Sequence, residues 1–285
     1  MPELTEDSAG TLTLGDLSVR RLGFGSMRLT GEGVWGAPAD PEGAKALLRR
    51  AVELGVNLID TADSYGPYVA ENLIREALHP YPDGLVIATK AGLERTGPGE
   101  WPRNGRPDHL RAAVHGSLKR LGVERIDLLQ LHAVDPHVPL EDSLGALIAL
   151  RDEGKIRHLG VSNVSVEELD RAQAMTEVVS VQNRFNLQDR GAEDVLDACA
   201  KRGLAFIPWF PLAAGPLARP GGPLDQLAER HGATPSQIAL AWLLHRSPMM
   251  LPIPGTSSIE HLEENVGAAR IALTDGDMAE LNAAA

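Results

Sequence analysis

The chain has 285 residues, 43% of them apolar, with 39 acidic against 27 basic side chains and a net charge of -12. That is enough apolar material for one large core, while the acidic balance and the lack of a basic stripe argue against a nucleic-acid partner. A single cysteine, Cys199, excludes an internal disulfide framework and suits a reducing compartment.

Residues 1–10 are acidic, with no basic n-region and no apolar h-region, so they read as a flexible tail and not as a secretory signal. No apolar run approaches the length of a membrane span, and the expectation is a soluble cytoplasmic protein. Thr11–Leu14 and Leu17–Val19 flank Gly15-Asp16 and read as a small hairpin. Eight strand candidates follow: Arg21–Phe24, Asn57–Asp60, Leu85–Thr89, Asp127–Leu131, His158–Val161, Val178–Gln182, Ala205–Pro208 and Met250–Ile253. Helical patterns separate them at Pro41–Leu54, Val69–Leu78, Pro107–Leu121, Leu140–Glu153, Val166–Ala174, Ala192–Arg202 and Pro235–Arg246. Four of these stop at a glycine (Gly55, Gly122, Gly154, Gly203). Ser258 is placed to N-cap a helix to about Ala268, and Asp275–Ala284 reads as one more.

This alternation predicts a (β/α)8 TIM barrel with an N-terminal β-hairpin and an extra C-terminal helix, a single domain over residues 1–285. A doubly wound open sheet is the alternative. Against it, Gly23-Phe24-Gly25-Ser26-Met27 lacks the third glycine of a G-x-G-x-x-G turn. The Gly/Pro-rich stretches Thr96–Pro107 and Ala213–Pro223 read as long loops on the functional face.

Barrel sites lie at the C-terminal strand ends. Asp60 ends the second run, with Tyr65 just after it in Asp60-Thr-Ala-Asp-Ser-Tyr65-Gly; Lys90 ends the third and His132 the fourth. Asp60 can hold Lys90, the Lys90 ammonium favours the tyrosinate and so lowers the pKa of Tyr65, and His132 can orient a substrate oxygen. Asp63 and Ser64 read as turn formers. The sequence contains no cluster of His, Cys and carboxylates at metal-ligand spacing, so electrons have to come from a partner, which points to hydride transfer from a nicotinamide.

Asp60-Thr-Ala-Asp-Ser-Tyr65-Gly, Ala88-Thr-Lys90, Leu129-Gln-Leu-His132, Gly160-Val-Ser-Asn163, Val181-Gln182-Asn183 and Ile253-Pro-Gly-Thr-Ser257 with Glu263-Glu-Asn265 stand in one order, and the chain resembles the aldo-keto reductases from Gly23 to Asn265. The resemblance implies an NAD(P)H-dependent oxidoreductase that reduces an aldehyde or ketone, with Tyr65 as general acid and Asp60, Lys90 and His132 in support. It implies cofactor contacts at Ser26, Met27, Asp60, Ser162, Asn163 and Gln182. It extends them to Trp209, Phe210 and Leu212, and then to Gly255, Thr256, Ser257, His261, Glu264 and Asn265. Trp209 stands where the family usually has a stacking tyrosine, and Phe210 where a serine is frequent. Trp35 and Trp101 join Tyr65 and His132 as expected substrate-pocket residues. Residues 255–261 contain no Lys or Arg for a 2′-phosphate, and His261 stands where Arg is common. The resemblance favours NADP(H), with NAD(H) as the alternative. Two other functions stay open: an NAD-dependent dehydrogenase of an alcohol, sugar or pyridoxine-type substrate, and a cofactor-sensing non-enzymatic subunit. The expected partner is a small carbonyl compound, with no membrane, in a monomer or small homo-oligomer.

Overall fold

The computed structural model describes residues 3–212 and 224–283. The expected loop Ala213–Pro223 therefore lies outside the described residues. Strands β1 (Thr11–Leu14) and β2 (Leu17–Arg20) form the hairpin, paired antiparallel from Thr11↔Arg20 to Leu14↔Leu17. Seven further strands run parallel in chain order: β3 (Phe24–Gly25), β4 (Leu58–Asp60), β5 (Val86–Ala91), β6 (Ile126–Leu131), β7 (Ile156–Ser162), β8 (Ser180–Arg184) and β9 (Ala205–Trp209).

The expected eighth strand, Met250–Ile253, forms no regular ladder but still closes the barrel. The Phe206 N–H donates to Met249 O (2.8 Å) and the Leu251 N–H to Phe206 O (2.9 Å) on one side, and the Gly23 N–H donates to Pro252 O (2.9 Å) on the other. Pro252 and Pro254 have no N–H to give, so the ladder cannot continue along this stave.

The helices are α1 (Glu6–Ala9), α2 (Pro41–Glu53), α3 (Val69–Leu78), α4 (Pro107–Leu121), α5 (Leu140–Asp152), α6 (Val166–Met175), α7 (Glu193–Arg202), α8 (Asp225–His231), α9 (Pro235–Arg246), α10 (Ile259–Gly267) and α11 (Asp275–Ala283). Their starts have chemical causes. Asp40 accepts from the Gly43 N–H ahead of Pro41, and Ser165/Glu168 and Thr234/Gln237 form capping boxes. The four glycine stops all take positive φ, from +68° at Gly203 to +88° at Gly55. The short helix α8 has too few apolar positions to show a period, and the sequence reading missed it.

The alternating burial of β1 and β2 turns Leu12, Leu14, Leu17 and Val19 into the barrel, against Leu58, Val86, Leu128, Ala205 and Ile207. The hairpin thus plugs the N-terminal end, and Asp16 in its turn pairs with Arg157 and His158 at the start of β7. The expected tail is anchored too. Leu4 is 1% exposed and its N–H donates to Leu54 O at 2.7 Å, because an apolar side chain there finds the gap between α2 and the C-terminal helices. With the lower mouth closed, the C-terminal strand ends carrying Asp60, Lys90, Ser162, Gln182 and Trp209 form the open face.

Candidate active site

Asp60, Lys90 and Tyr65 meet at the floor of the open face. Lys90 Nζ donates to Asp60 Oδ1 (2.6 Å), Thr61 O (2.9 Å) and Tyr65 Oη (3.3 Å), with all three side chains buried. Adjacent staves bring them together: Asp60 pairs in register with Ala88 of β5, two residues before Lys90. Burial acts to lower the pKa of Lys90, but Asp60 and Tyr65 outweigh it, and the ammonium stands above its ordinary value. Tyr65 corrects the sequence expectation. Burial raises its pKa above that of a free phenol and the pull of Lys90 offsets this only in part, so the phenol keeps its proton in the resting site. The second carboxylate oxygen of Asp60 accepts from Gln182 Nε2 (2.8 Å) and Gln130 Nε2 (3.3 Å).

His132 follows β6 and lies edge-on to the Tyr65 ring at 6.1 Å. Burial, and then the Lys90 charge, hold its pKa well below the usual imidazole value, so the ring is neutral at neutral pH. Its Nδ1 lies 3.5 Å from Ser64 Oγ, which leaves Nε2 for a ligand. Asn163 takes a left-handed backbone (φ 56°), which an asparagine tolerates. Its Nδ2 donates to His132 O (2.9 Å) and Ser162 Oγ (3.0 Å), and its Oδ1 accepts from Trp209 Nε1 (2.9 Å). One carboxamide therefore ties three strand ends together and holds the indole over the mouth.

Behind this set lies a second buried group that the sequence reading did not recognise. Glu71 accepts from Arg120 Nε (2.6 Å) and from Thr89 Oγ1 (2.7 Å), beside Lys90 on the outward face of β5. Asp63 is buried near it with no partner for Oδ1. Burial, and then the Glu71 charge, push the Asp63 pKa well above the carboxylate range. No group of His, Cys and carboxylates able to hold a metal occurs among the described residues.

A cavity of about 470 Å³ opens over the site. Asp60, Tyr65, His132, Ser162, Asn163, Gln182 and Trp209 line one part of it. Phe210, Leu212, Met27, Arg28 and Gly255 line another, and Val34, Leu93 and Trp101 a third. Gly25 and Gly255 touch across the closing seam: a Cβ on Gly255 would stand 2.6 Å from Gly25 O. Ser26 lies just below, its hydroxyl buried without a partner. Among the described residues, Arg28 is the one Lys or Arg on the cavity wall and makes no ion pair. A search for charge confined to residues 255–261 passes over it, because the barrel brings the start of the chain beside the end. Thr256, Ser257, His261, Glu264 and Asn265 follow from Gly255 into α10 and do not line the cavity; Thr256 Oγ1 accepts from the Ser258 N–H, and the Asn265 side chain is buried.

Trp101 is a wall residue, edge-on to Tyr65 at 6.4 Å, whereas Trp35, expected beside it, is not. The cause is Arg95. Its guanidinium donates to Val34 O (2.7 Å), Ser64 O (3.0 Å), Gly33 O (2.9 Å), Gly97 O (3.2 Å) and Glu100 O (2.8 Å). It stacks on Trp101 at 3.6 Å and lies 5.5 Å from the centre of the Trp35 ring, which is held at the surface while Val34 faces the cavity.

The chain is similar to known proteins over most of its length. The family model described as "Aldo/keto reductase family" matches residues 21–285. An oxidoreductase of Schizosaccharomyces pombe is 55% identical over 274 residues, covering 96% of this chain and 89% of that protein. Pyridoxine 4-dehydrogenase of Escherichia coli strain K12 is 43% identical over 96% of this chain and 98% of its own length. The crystal structure of an aldo-keto reductase from Klebsiella pneumoniae in complex with NADPH superposes with a TM-score of 0.79 at 30% identity, covering 93% of this chain and 91% of that one.

Proposed function

The chain belongs to the aldo/keto reductase family and is an oxidoreductase, and from that premise we propose that it interconverts an aromatic or heteroaromatic aldehyde and its alcohol with a nicotinamide cofactor. The supporting observation is Lys90 Nζ, held between Asp60 Oδ1 at 2.6 Å and Tyr65 Oη at 3.3 Å at the floor of a cavity with Val34, Leu93 and Trp101 on one wall. When bound, the reduced cofactor supplies the hydride for the carbonyl carbon.

Tyr65 Oη donates the proton to the carbonyl oxygen as negative charge develops there. The proton leaves a phenol that holds it firmly at rest, and the phenolate left behind is stabilised by the Lys90 ammonium. Asp60 keeps that ammonium in place and charged. Neutral His132 directs a ring N–H at the same oxygen, which fixes the face of the carbonyl. In the oxidative direction the same phenolate takes the alcohol proton.

The residues suit such a cofactor. Ser162, Asn163 and Gln182 form a hydroxyl-and-amide set matched to a carboxamide, and Trp209 offers a flat indole face beside it. Arg28, next to Gly255 and without an ion pair among the described residues, suits a phosphate. We assign it the positive charge that residues 255–261 lack, and with it a preference for NADP(H). A second, oxidative reading has its own support, since the Escherichia coli relative is named a pyridoxine dehydrogenase.

The test is a panel of pyridoxal, pyridoxine, benzaldehydes, ketones and sugars, assayed with NADPH, NADH and their oxidised forms, on wild type and Tyr65→Phe. Aromatic aldehydes are expected to turn over with NADPH and the variant to be inactive while binding cofactor normally. Sustained reduction by Tyr65→Phe removes the assigned acid.

A further inference from the structure

A glutamine deep inside a barrel needs a reason, because an amide buried without hydrogen bonds costs free energy that a leucine would not. Gln130 is 0% exposed and does not line the cavity. The other inward positions around and below it, Leu58, Ala88, Leu128, Ala205 and Ile207, are apolar. Its two polar ends are both used. Nε2 donates to Asp60 Oδ2 at 3.3 Å, and Oε1 accepts from Gln182 Nε2 at 3.4 Å. Gln182 Nε2 in turn donates to the same Asp60 Oδ2 at 2.8 Å.

The register explains how it gets there. Gln130 stands opposite Lys90 on one side and Gly160 on the other. A Cβ at Gly160 would lie 3.0 Å from Gln130 Cγ and 2.4 Å from Ser180 Oγ, so only a glycine leaves the space through which the amide reaches across the barrel. Lys90 and Gln130, neighbours on adjacent strands, hold the two oxygens of one carboxylate from two sides. The Asp60 carboxylate can only accept, so its 2.8 Å bond turns Gln182 Nε2 toward the barrel axis, and Gln130 Oε1 adds a second, longer contact to the same nitrogen.

We propose that Gln130 is a positioning residue for the proton-transfer set: it holds the Asp60 carboxylate in line with Lys90. It touches neither substrate nor cofactor and acts only through Asp60. The inference rests on the reading of Asp60, Lys90 and Tyr65 given above.

The experiment uses Gln130→Met, which keeps length and volume and removes both hydrogen bonds, with 4-nitrobenzaldehyde and NADPH as probes. The expected result is a fall in kcat of about tenfold or more, with the NADPH Kd, read from tryptophan fluorescence, within twofold of wild type. That drop corresponds to about 1.4 kcal/mol, close to the lower bound of about 1.5 kcal/mol for one hydrogen bond to a charged group. The decisive comparison repeats the substitution in an Asp60→Asn background, followed in single turnover so that slow rates stay measurable. Acting through Asp60, Gln130→Met then changes the rate less than threefold. An equal loss in both backgrounds, a kcat within twofold of wild type, or a loss confined to Kd each overturns the proposal. Gln130→Asn keeps a polar head but falls one methylene short, and it is read by the same criteria if the Met variant fails to fold. Turnover by Tyr65→Phe would overturn the underlying reading as well. An inactive Tyr65→Phe beside a fully active Gln130→Met overturns this inference alone.

Discussion

Replacing Arg120 by Met tests the buried anion behind Lys90. The Glu71 side chain is 0% exposed and that of Arg120 17%, so the guanidinium keeps access to water while the carboxylate depends on its partners. The substitution leaves Glu71 with the Thr89 hydroxyl at 2.7 Å as its remaining hydrogen bond, and it also strips Tyr68 of the cation lying 4.2 Å from its ring centre. Stranding one charge of a buried pair costs about 3–5 kcal/mol. With an unfolding entropy of about 2.1 cal/mol/K per residue, 285 residues give roughly 0.6 kcal/mol/K, so Tm falls by about 5–8 °C. Scanning calorimetry of wild type and variant measures it. The pair Arg120→Met with Glu71→Leu removes both charges and leaves the Thr89 hydroxyl without its acceptor and the buried Ser117 hydroxyl without the Arg120 donor, a cost of about 2 kcal/mol. It is expected to recover all but about 3 °C of the loss. A shift under about 2 °C for the single variant, or a double variant no more stable than the single, refutes the reasoning.

Asp63 gives a pH signature. Its folded pKa lies above its unfolded value, so the folded state holds a proton that the unfolded chain releases, and stability falls as pH rises past the unfolded carboxyl value of 3.8. Asp63→Asn therefore raises Tm at neutral pH, and the gain disappears below about pH 4; a gain equal at pH 4 and pH 8 contradicts the burial argument. Arg28→Gln is expected to weaken NADPH binding about tenfold at low salt and less at high salt, with kcat unchanged. Fluorescence titration at two ionic strengths measures it, and an unchanged Kd removes Arg28 from the phosphate site.

Three residues that sequence reasoning brought to the site share one property: they stand at or just past a strand end, where the chain itself dictates direction and depth. Asp60, Lys90 and His132 could be read this way, because a period of two within an apolar run tells which side chains face inward. The rest depends on partners remote in sequence. Met250–Ile253 looks like a strand by composition, but its prolines decide the hydrogen bonding. Trp35 and Val34 are both plausible wall residues until Arg95, sixty residues on, turns one outward. Arg28 lies more than two hundred residues from Gly255 and is beside it only because the barrel closes. The sign of the Tyr65 shift also needs depth: sequence supplies the cation, but only packing shows that burial outweighs it.

The five carbonyls gathered by Arg95 come from three separate stretches, residues 33–34, Ser64 and residues 97–100. These stretches carry the wall residue Val34, adjoin the wall residue Trp101 and include the turn that presents Tyr65. Anyone grafting a new substrate preference onto this barrel would therefore have to move the segments as a cassette. A transplant of residues 93–103 without its matching partner near Gly33 would keep the grip on Gly97 O and Glu100 O but lose Gly33 O and Val34 O, and would disturb the proton donor along with the specificity. Where that arginine is kept, selectivity can drift at Val34, Leu93 and Trp101 without the chemistry being rebuilt each time.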